Sequence, residues 1–277
     1  AACVAPSAPP IIRAHEDNER MPRLPIEVES LYAAQSAGGV SLVTRREGAE
    51  AILRALTEAD SAPADTPGGR GALSRFSWLP GRDGLVRPCR RGGVMRFLGR
   101  NYVLENRPLR EFEAHCEAVA RGIPAPTPLG VAWQRSGGFL RGALATEAVD
   151  APDLLAWLRA AENADPAARA ATLRGCGALV RKMHDAGIWH ADLQVKNLLV
   201  SPEGPMLIDF DGARVGAPPG NVNRARNLLR FRRSLERRGL EPGLFDAFLE
   251  GYGPAVIPGW LNLAYRLRGA GRKGVSE

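Results

Sequence analysis

Three oxygen-bearing side chains in the second half of the chain have the types and spacing that phosphoryl transfer requires. Asp192 and Asn197 lie five positions apart in His-Ala-Asp-Leu-Gln-Val-Lys-Asn, and Asp209 follows twelve positions later in Asp-Phe-Asp. In this chemistry one carboxylate orients the attacking hydroxyl and accepts its proton. An amide and a second carboxylate hold the magnesium ions that bridge the ATP phosphates. The spacing therefore predicts Asp192 as proton acceptor and Asn197 and Asp209 as metal ligands.

The segment between Asn197 and Asp209 has the sequence of a short β-hairpin. Two apolar runs, 198–200 and 205–208, flank a Ser-Pro-Glu-Gly turn. Because a hairpin returns the chain to the end where it started, we expect Asn197 and Asp209 at the same end. An isolated His-x-Asp is usually an ordinary polar turn, but three such residues in register around a hairpin favour a catalytic interpretation.

Two further residues of this region receive predicted roles. Lys196, four positions after Asp192, is expected to neutralise the γ-phosphate as charge develops, with a solvated loop lysine as the alternative. His190 is expected to be a scaffold that hydrogen-bonds the backbone near Asp209, because Asp192 already fills the role of base. His184 is expected to be structural and close to a helix end.

The composition is that of a globular protein with a basic surface. The chain has 277 residues, 45% hydrophobic and 24% charged residues, and a net charge of +7. No apolar run reaches the ~18 residues of a membrane span. The four cysteines are far apart and show neither metal-ligand spacing nor a disulfide framework, which indicates a reducing compartment.

The pattern along the chain predicts an α+β organisation. Residues 1–20 are rich in Pro and Ala and are predicted to be a disordered extension. Residues 21–150 are predicted to form a strand-rich N-lobe with helices over 47–59 and 108–121. Residues 151–277 are predicted to form a helical C-lobe that carries the loops of Asp192 and Asp209, with the nucleotide between the lobes.

The sequence signals for the phosphate-binding residues of the N-lobe are weaker than those for the two catalytic loops. Gly69 and Gly71 precede a predicted hairpin and would let backbone N–H groups approach phosphate, although position 74 is Ser where a third glycine is usual. No lysine precedes Lys182, so the usual strand lysine is missing. Arg87 is the best replacement, able to contact the α- and β-phosphates and to pair with a helix carboxylate. Glu111 is the favoured partner, and Glu113 is the reserve.

These residues, with several shorter motifs, resemble the lipopolysaccharide kinases of Gram-negative bacteria, most closely the 3-deoxy-D-manno-octulosonic acid (Kdo) kinases. The resemblance runs from about residue 69 to residue 238, and Arg-Arg-Gly-Gly at 90–93 narrows it to the Kdo kinases. The other matching segments are 69–71, 85–87, 110–112, 122–126, 141–147, 190–197 and 209–211.

The resemblance implies a bilobal protein-kinase-like fold and an ATP- and Mg²⁺-dependent carbohydrate kinase. It implies phosphorylation of the 4-hydroxyl of Kdo on a lipid A precursor, and it places Glu147 with the nucleotide-binding residues. The segment after Asp211 is too short for the activation segment of a protein kinase. We therefore expect a compact or lipid-linked acceptor instead of a peptide.

The C-terminal region suggests a membrane surface as a partner. Seven arginines lie between 223 and 240, and Trp260, Leu261, Leu263, Tyr265 and Leu267 are candidates for an interfacial anchor. A solvated basic helix is the alternative. No nucleic-acid motif accompanies the charge, so nucleic acid is not expected. The predicted location is peripheral, at the cytoplasmic face of the bacterial inner membrane.

Two other functions remain open from the sequence. One is a heptose kinase or another small-molecule phosphotransferase. The other is a non-catalytic nucleotide-binding scaffold, suggested by the missing strand lysine.

Overall fold

The computed structural model describes residues 22–37, 39–61, 73–89, 106–136, 139–160 and 165–270. They group into two compact units: the first comprises the described residues within 22–23, 30–109 and 129–145, and the second comprises those within 24–29, 110–128 and 146–270. Residues 110–128 thus group with the second unit, and the lobe boundary at residue 150 stays a prediction. The predicted disordered extension, 1–20, lies outside the described residues.

The sheet is formed by six strands in the order β1-β2-β5-β6-β4-β3. The pairs β1–β2, β2–β5 and β3–β4 are antiparallel. The strands are β1 (Tyr32–Ala37), β2 (Val40–Arg45), β3 (Ser74–Leu79), β4 (Arg82–Pro88), β5 (Pro128–Ser136) and β6 (Phe139–Glu147). The predicted β3–β4 hairpin is confirmed with a tighter turn, in which Gly81 has a φ of 73°.

One helix supplies the core beneath this sheet. Helix α2 (Ala49–Ser61) has an apolar face, as its sequence predicted, and buries Ile52 and Leu56 completely. These side chains pack in one cluster with Val86 of β4 and Leu129 of β5. Along β4 the side chains alternate between faces, so Arg87 lies on the face opposite Val86.

The second unit is mainly helical, so the structure has the predicted α+β class. No helix in the described part of the chain is long and apolar enough to span a bilayer. The helices are α1 (Ile26–Glu29), α3 (Arg107–Ala120, from residue 110 onward), α4 (Leu154–Ala160), α5 (Pro166–Asp185), α6 (Asn221–Glu236), α7 (Gly243–Tyr252) and α8 (Gly259–Ala270). Four short strands complete it: β7 (Ile188–Trp189), β8 (Leu198–Ser201), β9 (Gly204–Leu207) and β10 (Arg214–Val215).

The core of this unit depends on a close approach of α5 and α7. Asp165 caps α5 by accepting a hydrogen bond from the Ala167 N–H at 2.9 Å, and Pro166 begins the helix. At Gly177 the two backbones meet, because a Cβ there would overlap the Phe248 carbonyl oxygen and lie 2.7 Å from the Tyr252 nitrogen. The absence of a side chain at Gly177 therefore sets the distance between these helices.

This contact predicts opposite effects for two glycines of α5. Gly177→Ala should lower the free energy of unfolding by about 1–3 kcal/mol, because the backbone of α7 must move. Gly175→Ala is the matched control, since its Cβ would lie 3.7 Å from Pro205 in ordinary contact. We expect that variant to be as stable as wild type or up to about 1 kcal/mol more stable, through helix propensity. Urea denaturation measures both, and equal stabilities of the two variants would contradict the packing argument.

Candidate active site

Two loops, defined here as the Asp192 loop (190–197) and the Asp209 loop (208–213), are joined by the β8–β9 hairpin. Its register pairs Leu198 with Leu207 and Ser201 with Gly204 across a two-residue turn. The Ile208 N–H donates to the Asn197 carbonyl oxygen at 3.1 Å. Asn197 and the residue before Asp209 are therefore neighbours, which confirms that the hairpin brings the predicted metal ligands to one end.

A second strand pair closes the other ends of the same loops. β7 and β10 are antiparallel, with Trp189 opposite Arg214 and Ile188 opposite Val215. The residue before the Asp192 loop thus pairs with the residue after the Asp209 loop. Because each loop is held at both ends, their relative position is defined by backbone hydrogen bonds.

Asp192 presents an oriented but accessible carboxylate. Its Oδ2 accepts a hydrogen bond from Nε2 of Gln194 at 2.6 Å, and its Oδ1 accepts one from Nη1 of Arg230 at 3.3 Å. The side chain is 47% exposed. Each carboxylate oxygen can accept more than one hydrogen bond, so a substrate hydroxyl can still bind.

Asn197 and Asp209 supply oxygen atoms suited to magnesium. Nδ2 of Asn197 donates to the backbone oxygen of Asp192 at 2.8 Å, which leaves Oδ1 available to coordinate a cation. Asp209 has a φ of 65°, a left-handed conformation that is uncommon for a residue with a side chain and that occurs often at functional sites. Magnesium typically takes one or two protein oxygens together with phosphate oxygens and water. The residues present fit that donor set.

His190 is the scaffold that the sequence predicted. Its Nε2–H donates to the Ile208 carbonyl at 3.1 Å, and its Nδ1 accepts from the Asp192 N–H at 3.2 Å. Because Nδ1 accepts a hydrogen bond, the ring is neutral, and burial lowers the pKa of His190 in agreement with this state. The ring thus connects the two loops without acting as a base.

Helix α6 holds the Asp192 loop at three points. Asn227 donates from Nδ2 to the His190 carbonyl at 2.8 Å and accepts from the His190 N–H at 3.3 Å. Arg230 reaches Asp192, and Ser234 Oγ accepts from the Val195 N–H at 3.0 Å. Positions 227, 230 and 234 are three and four apart, so they share one face of the helix.

This polar face of α6 was not predicted from the sequence, which indicated only a basic helix with a partial apolar face. Asn227 is fully buried and Ser234 nearly so, between the buried Leu228, Phe231 and Leu235. An amide and a hydroxyl at helical spacing within an apolar face were the available signal, since such groups are buried only with hydrogen-bond partners.

The buried polar network extends to the end of α5. Nε2 of His184 hydrogen-bonds to Oδ1 of Asn227 at 3.0 Å, and its Nδ1 to the Tyr252 hydroxyl at 2.9 Å. Since Oδ1 can only accept, His184 donates from Nε2 and accepts at Nδ1 as a neutral ring. Burial lowers the pKa of His184 to about 4. The predicted structural role near a helix end is confirmed.

The remaining predicted residues of the second unit lie on separate elements. Lys196 is exposed in the 3₁₀ turn Val195–Asn197, next to Asn197. Glu147, at the end of β6, accepts a hydrogen bond from the Thr127 hydroxyl at 2.5 Å. Glu111 is buried on α3, one turn before His115, whose ring stacks on Phe210 of the Asp209 loop at 4.8 Å.

The structure does not test the other predicted nucleotide contacts. Arg87 is partly buried on β4 of the first unit, whereas Glu111 belongs to the second, so their pairing stays a prediction. Gly69, Gly71 and the Arg-Arg-Gly-Gly segment lie outside the described residues.

This fold and these loops define a kinase-type phosphotransferase. The model of the lipopolysaccharide kinase (Kdo/WaaP) family matches residues 56–252. The chain therefore belongs to the lipopolysaccharide kinase (Kdo/WaaP) family, as the sequence motifs indicated.

Individual relatives agree with this membership. The chain is 34% identical over 174 residues to a 3-deoxy-D-manno-octulosonic acid kinase of Xanthomonas campestris pv. campestris (strain B100), covering 61% of this chain and 67% of that protein. It is 31% identical over 195 residues to the enzyme of that name from Actinobacillus succinogenes (strain ATCC 55618 / DSM 22257 / CCUG 43843 / 130Z), covering 66% of this chain and 78% of the relative.

A solved structure described as WaaP in complex with acyl carrier protein shares the fold. Its TM-score is 0.54 at 19% identity, covering 80% of this chain and 91% of that chain. The predicted protein-kinase-like fold is thereby confirmed. The predicted enzyme class is confirmed by the family: the protein is a lipopolysaccharide kinase that phosphorylates sugar, and the family implies ATP as the phosphoryl donor.

The low pKa of His184 predicts that acid weakens the fold. Between about pH 6.5 and pH 4 the unfolded state binds a proton at this residue and the native state does not. The free energy of unfolding should therefore fall by about 2 kcal/mol from this group between pH 7.5 and pH 5. Urea titrations at the two pH values measure the fall. His184→Gln should reduce it, and an unchanged pH dependence in that variant would remove His184 as its source.

Proposed function

We propose that this kinase transfers the γ-phosphoryl group of ATP to the 4-hydroxyl of Kdo on a lipid A precursor. The observation that carries the proposal is the Asp192 carboxylate, oriented by Gln194 and Arg230, half exposed, and next to the Asn197–Asp209 end of the hairpin. The acceptor is supported by relatives named 3-deoxy-D-manno-octulosonic acid kinase at 34% identity.

Each residue of the two loops has a role in this reaction. Asp192 hydrogen-bonds the acceptor hydroxyl, aims its oxygen at the γ-phosphorus and accepts its proton as the new O–P bond forms. The bond between the γ-phosphorus and the bridging oxygen of ATP breaks in the same step, and ADP leaves. Lys196, exposed within the same loop, neutralises charge on the transferred group. Asn197 Oδ1 and the Asp209 carboxylate would hold magnesium, which supplies charge neutralisation for the phosphate oxygens when bound.

Nucleotide binding is assigned to residues on the strands and on α3. Gly69 and Gly71 offer backbone N–H groups to phosphate, and Arg87 takes the place of the missing strand lysine with Glu111 as its partner. Glu147 completes the set on the strength of the family resemblance. Arg is not equivalent to Lys at such a position, because its planar fork is larger and binds in a bidentate manner.

Two substitutions separate chemistry from nucleotide binding. Asp192→Asn should leave Mg-ATP binding nearly intact and reduce transfer by at least ~10²-fold, because the proton acceptor is lost. Asp209→Ala should instead abolish magnesium-dependent ATP binding, because the main carboxylate ligand is lost.

The measurements are mass spectrometry of Kdo-lipid A precursor after incubation with ATP and magnesium, and calorimetry of Mg-ATP binding. Wild type should add one phosphate to the Kdo residue, at the 4-position. Near-normal transfer by Asp192→Asn would remove Asp192 from its role. Unchanged Mg-ATP affinity in Asp209→Ala would contradict the metal assignment.

A peripheral position at the cytoplasmic face of the inner membrane is part of the proposal. It is supported by exposed apolar side chains at Val256, Trp260 and Leu263, the last two one turn apart on α8. The exposed Arg237 adds attraction to anionic lipid worth about 1 kcal/mol near the surface.

Two residues of the predicted membrane surface make contacts within the protein. Tyr265 is buried, hydrogen-bonds Glu236 and lies under the Arg233 guanidinium, whose carbon is 4.9 Å from the ring centroid. Arg230 contacts Asp192. Neither is therefore used as a membrane residue in the test.

Vesicle sedimentation tests the membrane surface. Trp260→Ser combined with Leu263→Ser should reduce binding to anionic vesicles about tenfold or more, because two large apolar groups no longer enter the bilayer surface. Leu73→Ser is the control, since Leu73 is equally exposed but lies on the other unit. Wild-type binding should fall with salt, as the Debye length is ~8 Å at physiological ionic strength. Equal binding of wild type and the double variant would reject this surface.

A further inference from the structure

Arg230 differs from the other arginines of α6 in what it contacts. Arg224 pairs with Asp185 at 2.7 Å and Arg232 with Glu236 at 2.9 Å. Arg230 lies 3.3 Å from Asp192 Oδ1, and within the described residues Asp192 is its single hydrogen-bond partner. The one cation of α6 that reaches the Asp192 loop is thus bound to the proposed proton acceptor.

This contact does not satisfy the guanidinium. A full guanidinium–carboxylate pair is usually bidentate with N–O distances of ~2.7–2.9 Å, whereas Arg230 makes one longer bond through Nη1. Its Nε and Nη2 donate to no side chain or carbonyl in the described part of the chain. The side chain is 48% exposed, so these donors face a region that a substrate can enter.

The position of Arg230 is nevertheless well defined. Asn227, three residues before it, and Ser234, four residues after it, fix α6 to the Asp192 loop. An acceptor whose hydroxyl reaches Asp192 lies next to Arg230, because the two side chains are in contact. A neutral acceptor would offer the remaining guanidinium donors only hydroxyl oxygens, which form weaker hydrogen bonds than a carboxylate and leave the positive charge uncompensated. An acceptor with a carboxylate would pair them in a fork.

We infer that Arg230 binds a carboxylate of the acceptor sugar, next to the hydroxyl that Asp192 deprotonates. The inference rests on the proposed transfer to a sugar hydroxyl at Asp192. If Arg230 binds a carboxylate, the acceptor sugar is a sugar acid, and the site can reject a neutral heptose. Arg230 is accordingly a specificity-determining residue that contacts the substrate.

The test uses two soluble acceptors, a Kdo glycoside with its free carboxylate and the same glycoside as the neutral carboxamide. Wild type should prefer the acid about 10- to 100-fold in kcat/KM, largely through KM, as expected for hydrogen bonds to a charged group. Arg230→Gln should abolish this preference, so that kcat/KM becomes equal for the acid and the carboxamide, with a smaller loss common to both acceptors because Arg230 also helps to orient Asp192. Arg230→Lys should restore part of the preference.

Arg226→Gln is the matched control. Arg226 is exposed one turn earlier on α6 and donates to Asn223 instead of the Asp192 loop. We expect its kinetics to equal those of wild type with both acceptors. The KM for ATP should be unchanged in all variants, because Arg230 is assigned to the acceptor.

Three results would overturn the inference, each for a different reason. An equal loss on both acceptors in Arg230→Gln would make Arg230 a positioning residue for Asp192. An increased KM for ATP with the acid preference intact would assign the guanidinium to phosphate. Transfer by wild type to a heptose acceptor but to neither Kdo glycoside would reject the proposed acceptor itself, and the inference with it.

Discussion

A single buried amide, that of Asn227, fixes the Asp192 loop to the core of the helical unit. It pairs with both the N–H and the C=O of His190, and its oxygen also accepts a hydrogen bond from His184. All three residues are fully buried. An unpaired buried polar group costs about 1–3 kcal/mol, so a loop position that broke these bonds would be strongly disfavoured. The place of Asp192, two residues later, follows from this constraint.

The Asp209 loop depends on the Asp192 loop in turn. Its first residue, Ile208, is hydrogen-bonded both to the Asn197 backbone and to the His190 ring. With Ile208 held, the chain enters a left-handed turn at Asp209, and Phe210 is directed into the core against His115 of α3. This stacking connects the loop of the proposed metal ligand to the helix that carries Glu111, within one unit. Packing on both sides of the hairpin thus determines the positions of the proposed metal ligands.

The net positive charge of α6 does not by itself indicate what its arginines do, because each has its own contacts. Arg224 stabilises the end of α5 through Asp185, Arg232 and Arg233 lie over the ring of Tyr265, and Arg230 contacts Asp192. Among these four, none is a simple solvated charge. The proposed membrane association would therefore depend on other residues, such as the exposed Arg237 and the apolar side chains of α8.

The sequence by itself determined the parts of this protein that depend on local spacing. The sequence predicted that a hairpin brings Asn197 and Asp209 to the same end, because turn chemistry and strand alternation act over a few residues. The main helices, the β3–β4 hairpin and the α+β class follow from periodicity in the same way. The family could be identified because its motifs are short and contiguous.

The tertiary structure decided what depends on side chains far apart in the chain. Asn227 and Ser234 hold a loop more than 30 positions away, and Arg230 meets Asp192 across 38. No periodicity distinguishes an arginine that faces solvent from one that reaches a carboxylate on another element. The close approach at Gly177 is likewise invisible in sequence, because a helical glycine looks the same whether or not another backbone lies against it. These contacts arise only when the helices pack, and they position the residues whose types the sequence had already supplied.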